Sequence, residues 1–110
     1  NKKMKYIIIL CTTNTFDSAE TIAHYLVKEK LASCVNIIPK ICSIYSWQNK
    51  IQNDEEFLMI IKTKKELFSQ IKDKITILHP YEIPEIIATD ITEGSEKYLE
   101  WIEQNTKTLH

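Results

Sequence analysis

Residues 33–63 constrain the fold more than any other stretch. Ser33 to Trp47 reads as extended backbone, with Ile37, Ile41 and Tyr45 on one parity and Ile38, Cys42 and Ile44 on the other. Gln48-Asn49-Lys50 reads as a hairpin turn, because Asn tolerates the left-handed conformation such turns need. Ile51 to Thr63 returns as a second strand, strongest over Phe57-Leu58-Met59-Ile60-Ile61. Fifteen extended residues span about 50 Å at ~3.3 Å each. A compact body of this length has a radius of gyration of about 13 Å and is only about 34 Å across as a sphere. The hairpin must therefore bend, overhang, or pair with another chain. Pro39 cannot donate to a central ladder, so it marks an edge or a bend, and two shorter strands split by a bulge there are the alternative. Tyr45, Trp47 and Ile51 fall on the outer part of the hairpin. An exposed apolar edge of that kind is an aggregation hazard unless covered, and a symmetric oligomer joined through strand edges covers it. Those residues are the expected oligomer interface.

The flanking sequence supplies the other elements. Lys5 to Thr12 is a short, β-branched, continuously apolar run and reads as a buried strand. Asp17 or Ser18 then caps a helix carrying Ala19, Ile22, Ala23, Leu26 and Val27 at helical spacing, ending near Lys30. A second helix runs from Lys64 to about Ile77 on a stripe of Leu67, Phe68, Ile71 and Ile75; Pro80 stops it. Ile83 to Ile91 is the last strand, opened by Pro84. Gly94 and Ser95 open a third helix, whose buried face is expected to be Tyr98, Leu99, Trp101 and Ile102. The order β-α-β-β-α-β plus a C-terminal helix predicts an α+β, ferredoxin-like sandwich with antiparallel sheet order 4-1-3-2, formed as one domain over residues 1–110.

Composition excludes several functions. The net charge of −1 gives no electrostatic footprint for nucleic acid. All 14 basic residues are lysine, which disfavours bidentate capture of phosphate or carboxylate. The only glycine, Gly94, opens a helix, so no glycine-rich phosphate or oxyanion loop is present. No apolar run is long enough for a membrane span. Cys11, Cys34 and Cys42 are an odd set without CxxC spacing, pointing to a reducing compartment, the cytoplasm. The sequence begins at Asn1 rather than Met, so an organelle reached by a removed leader stays open.

The chemistry concentrates in LHPYEIPEI, residues 78–86. In the 4-1-3-2 order the C-terminal end of strand 1 shares a sheet edge with the N-terminal end of strand 4. Cys11 therefore comes near Glu85, and the end of the second helix brings Leu78 and His79.

The chain resembles the CutA divalent-cation-tolerance family. The matching stretches are LCTT (10–13), EKLASCVNIIP (29–39), SIYSW (43–47), KT (62–63), HPYEIPE (79–85) and YLEWI (98–102). They occur in order and cover nearly the whole chain. The resemblance implies a homotrimer joined by strand pairing and a non-enzymatic link to copper and divalent-metal tolerance, with no cofactor required. In members described as copper-binding, the ligands are a cysteine ending strand 1, a histidine, and the glutamate of the PE dipeptide. Cys11 and Glu85 match two of these. The family histidine position is Leu78 here, and His79 matches a second histidine beside it.

Each of these residues also has a structural reading. Cys11 ends an apolar strand and suits a buried thiol; with Glu85 and His79 it suits copper or zinc. His79 at a helix end suits a bond to a terminal carbonyl, and one helical step of about 100° turns it away from the Cys11–Glu85 pair unless Pro80 redirects it. Glu85 suits a lysine partner and Glu82 a solvated face; Tyr81 and Trp47 suit packing or an interface. Cys34 and Cys42 read as structural, and His24 and His110 as surface residues. A PII-like small-ligand sensor using intersubunit clefts, and a trimeric scaffold for a protein partner, are the other functions the architecture allows.

Overall fold

The computed structural model describes residues 5–109; His110 lies outside them. The element order is β1 (Tyr6–Thr13), α1 (Phe16–Lys28), β2 (Cys34–Trp47), β3 (Lys50–Lys64), a 3-10 turn (Lys65–Leu67) running into α2 (Phe68–Leu78), β4 (Ile87–Asp90) and α3 (Glu96–Gln104). The sheet order is β2-β3-β1-β4, with β1 antiparallel to both β3 and β4 and β2 antiparallel to β3. This is the expected 4-1-3-2 arrangement.

The pleat decides what β1 buries. Ile7, Ile9 and Cys11 point inward and are at most 2% exposed, while Tyr6, Ile8 and Leu10 stay half-buried on the opposite face. The run is continuously apolar, yet only one parity enters this core. Ala19, Ile22 and Leu26 of α1, Ile71 and Ile75 of α2, and Met59 and Ile61 of β3 complete the core. Each large side chain buried there contributes roughly 1.5–3 kcal/mol.

The hairpin satisfies its length by overhanging. The molecule measures 43 × 29 × 24 Å. The strand β2 is continuous but bulged: the register shifts between Ile38 and Ile41, and Lys40 takes φ 58. Pro39, with no N–H to give, sits where the ladder skips. The overhang and the bulge therefore occur together. At the tip Gln48 and Asn49 have φ 51 and 64, and Trp47 pairs with Lys50. Two successive left-handed residues make the type I′ turn that matches strand twist.

Several boundaries differ from expectation. The α1 cap is Thr15, whose hydroxyl accepts from the Ser18 N–H at 3.1 Å, instead of Asp17 or Ser18. Val27 is exposed. The strand β4 is four residues long, because residues 83–86 form a connection before pairing begins at Ile87 opposite Leu10. On α3 only Ile102 is fully buried; Leu99 is half-buried, and Tyr98 and Trp101 stack on each other in solvent with centroids 5.6 Å apart. The helix is short and rests one narrow stripe on β3, so its aromatic flank has nothing to cover it in a single chain.

A buried ammonium anchors this helix. Lys64 is 1% exposed, and its Nζ lies 3.0 Å from a Glu103 carboxylate oxygen. Glu103 also accepts from Lys5 at 2.8 Å and from the Tyr6 hydroxyl at 3.1 Å. Hydrogen bonds from Lys5 and Lys64 hold the Glu103 carboxyl down at about 2.

Candidate functional site

The end of β1, the end of α2, the 79–86 connection and the root of the hairpin arm converge as the topology requires. Pro80 disfavours the helical conformation for the residue before it, and His79 accordingly takes φ −78, ψ 140. That turn swings its ring under β1, where it is 7% exposed. The Nε2–H donates to the Thr12 carbonyl at 2.7 Å, and Nδ1 accepts from the Tyr81 N–H at 3.0 Å. The second bond fixes the tautomer, since an acceptor nitrogen carries no proton. Both ring nitrogens are therefore engaged with backbone, and neither bonds Cys11. The helix-end carbonyl contact expected of His79 is replaced by one to a strand.

Tyr81 stands edge-on to the His79 ring at 4.7 Å and donates to Glu56 at 2.6 Å. Burial, and then the Glu56 carboxylate, push the Tyr81 phenol above its usual range. Tyr45 makes the parallel contact to Asp54 on the arm. Glu56 is 7% exposed, and it and Asp54 were not anticipated as site residues. The run Asn53-Asp54-Glu55-Glu56 was visible, but only the register of β2 on β3 shows which way it faces.

Cys11 is fully buried, with its sulfur 3.9 Å from the Thr12 carbonyl. Burial, then the charges of Glu85 and Glu56, push its thiol up to about 12. Glu85 is itself exposed and makes no ion pair among the described residues, so the lysine partner considered for it is absent there. Leu78 ends α2 and is 39% exposed. Among the described residues no three His, Cys, Asp or Glu side chains gather closely enough to hold a metal ion. A buried protonated thiol, an imidazole with both nitrogens engaged and an outlying carboxylate do not fit a preassembled metal centre.

In front of these residues lies a groove of about 960 Å³ between the 81–85 connection and the arm. Tyr45, Trp47 and Tyr81 line it together with Asp54, Glu55, Glu56, Glu82 and Glu85. The expected interface residues Tyr45, Trp47 and Ile51 are 41%, 50% and 76% exposed in the single chain.

Fold and site together define a ferredoxin-like α+β protein with an overlong hairpin and an acidic, aromatic groove at its root. The family model described as "CutA1 divalent ion tolerance protein" matches residues 7–105, and the chain belongs to this family. It is 44% identical over 99 residues to the divalent-cation tolerance protein CutA of Thermus thermophilus, covering 90% of this chain and 96% of that protein. It is 41% identical over 107 residues to the chloroplastic protein CutA of Arabidopsis thaliana, covering 97% of this chain but only 59% of that longer protein. The crystal structure of CutA1 from Shewanella sp. SIB1 superposes with a TM-score of 0.93 at 39% identity, covering 97% of this chain and all of that one. No helix of the described residues is long and apolar enough to cross a membrane.

Proposed function

We propose that this chain acts as a non-enzymatic, homotrimeric divalent-cation-tolerance protein with a weak capacity for copper, working in a reducing compartment such as the cytoplasm. The observation that carries the assembly is the overhanging arm, with Tyr45, Trp47 and Ile51 exposed at its outer end. Two further features support it. The half-buried Ile8 and Leu10 form an apolar row on the sheet face the helices leave open, and β2 and β4 are both edge strands. A cyclic oligomer covers edges and arm together without leaving an open end.

The metal capacity is assigned to Cys11 and Glu85, with His79 holding the frame. A thiolate favours the softer ions, hence copper. Binding is weak on this reading because the ion must displace a proton from a buried thiol, and the one carboxylate assigned with it is exposed and outlying. Family membership supports a role in divalent-cation tolerance, as the Thermus relative's name states for that protein.

Sedimentation equilibrium at micromolar concentration tests the assembly: about three times the 12.9 kDa subunit mass is expected, and a monomer refutes it. Copper titration under reducing conditions tests the metal reading. Cys11→Ser is expected to abolish the specific signal; an unchanged signal removes Cys11 from the site.

A further inference from the structure

We infer that the step at Pro39-Lys40 is a parity switch for assembly. It turns Tyr45 and Trp47 onto the sheet face that the helices leave open, where they extend the apolar row of the body into a single surface for a second copy of this chain. The inference rests on the assembly reading and adds the residue count that selects which side of the arm meets the partner.

The register carries it. Before the step, Val35 stands opposite Ile61 and Ile37 opposite Met59, on the face packed against the helices. Ile38 stands opposite Leu58, on the other face. In a regular strand Ile41, Tyr45 and Trp47 would keep the parity of Ile37. Between Ile38 and Ile41, however, two residues of β2 oppose one of β3. Past that point Ile41 stands opposite Glu56, Tyr45 opposite Gln52 and Trp47 opposite Lys50. Those positions of β3 share the face of Leu58 and Ile60. A one-residue slip moves a whole set of side chains to the other face. On β1, Leu10 pairs with Ile60 and Ile8 with Lys62, so the open-face row of the body lies on the same side as the arm's aromatics. Without the step, that side of the arm would carry Cys42, Ile44 and Ser46 instead.

The step is kept against local backbone preference. Lys40 takes φ 58, a left-handed conformation that crowds the Cβ of any residue but glycine. It does so on an exposed edge strand, away from the core, so its retention fits a role in aiming the arm. The polar groups on this side are ready for cover. The Tyr45 hydroxyl donates to Asp54 and the Tyr81 hydroxyl to the buried Glu56, so neither carboxylate is left bare. The occupant is a second copy because α1 and α2 pack on the opposite face and the arm runs beyond its own body.

Sedimentation equilibrium of the full chain at micromolar concentration, with circular dichroism to follow the fold, tests the switch. Deleting Lys40 together with Pro39→Val makes the two strands equal in count. The assembled mass is then expected to fall to that of the 12.9 kDa subunit. Pro39→Val alone and Lys40→Gly alone keep the count and are expected to keep the parental mass. Lys40→Gly should also raise the thermal midpoint, since glycine adopts left-handed backbone freely. Should the deletion variant fail to unfold cooperatively, side chains on the two faces decide. Trp47→Ser is expected to weaken assembly about tenfold or more, as loss of a buried aromatic anchor predicts, and Ile44→Ser, on the other face, less than about twofold. A folded deletion variant of parental mass, loss of mass in Lys40→Gly, or equal weakening by Trp47→Ser and Ile44→Ser overturns the inference and leaves the assembly reading standing. A parent that sediments as a monomer refutes both.

Discussion

The His79 Nε2–H donates to the carbonyl of Thr12 across 67 residues of sequence at 2.7 Å, tying the end of α2 to the end of β1. With Nδ1 taken by the Tyr81 N–H, the imidazole is a fixed strut beneath the groove.

His79→Ala leaves the Tyr81 N–H without its partner and the buried Thr12 carbonyl with only the weak contact of the Cys11 thiol. Removing one partner of a buried hydrogen bond costs about 1–3 kcal/mol, so a loss of about 2–3 kcal/mol in urea unfolding is expected. Copper affinity should be nearly unchanged, while Leu78→His should strengthen it by adding a third donor to the proposed Cys11–Glu85 pair. A tenfold loss of copper affinity in His79→Ala, about 1.4 kcal/mol, would make His79 a ligand.

Acid should release α3. The Glu103 carboxyl is held at about 2 against an ordinary value of 4.5, first by the Lys5 hydrogen bond and then by Lys64. A depressed folded value contributes stability that is complete above the unfolded value and is lost as pH falls through the folded one. Part of the stability should therefore fade between about pH 4.5 and 2. Glu103→Gln should flatten that segment of the urea-midpoint profile. At neutral pH it should cost about 2 kcal/mol, because the buried Lys64 ammonium loses its countercharge. An acid profile identical to the parent would refute the anchor.

The arm should be sensitive to one backbone change. Tyr45 pairs with Gln52 in the ladder, and Tyr45→Pro removes its donor. The content of the proposed trimer by sedimentation and the thermal midpoint should both fall; an unchanged sedimenting mass and midpoint would move the proposed contact elsewhere.

Hydrogen exchange should rank the strands. The strand β1 is paired on both sides, β4 on one. Amides of Ile7 to Leu10 should exchange more slowly than those of Ile87 to Asp90, and the reverse order would contradict the sheet arrangement.

Much of this molecule was legible in its residues. Hydrophobic periodicity, Pro80 and the Asn49 turn are local signals, and element order with right-handed connection rules leaves few ways to arrange four strands. That was enough to send Cys11 and Glu85 toward one sheet edge and to require that a long hairpin bend, overhang or pair with another chain. Tertiary structure decided the rest, because it turns on orientation. Pleat parity buries Ile9 but not Ile8, and the ψ imposed before Pro80 carries His79 to Thr12. The bulge at Pro39-Lys40 fixes how β2 lies against β3 and so where Asp54 and Glu56 sit. The partners Lys64–Glu103 and Tyr81–Glu56 are 39 and 25 residues apart. A charge far along the chain carries no local signature of its partner; only packing brings the two within reach.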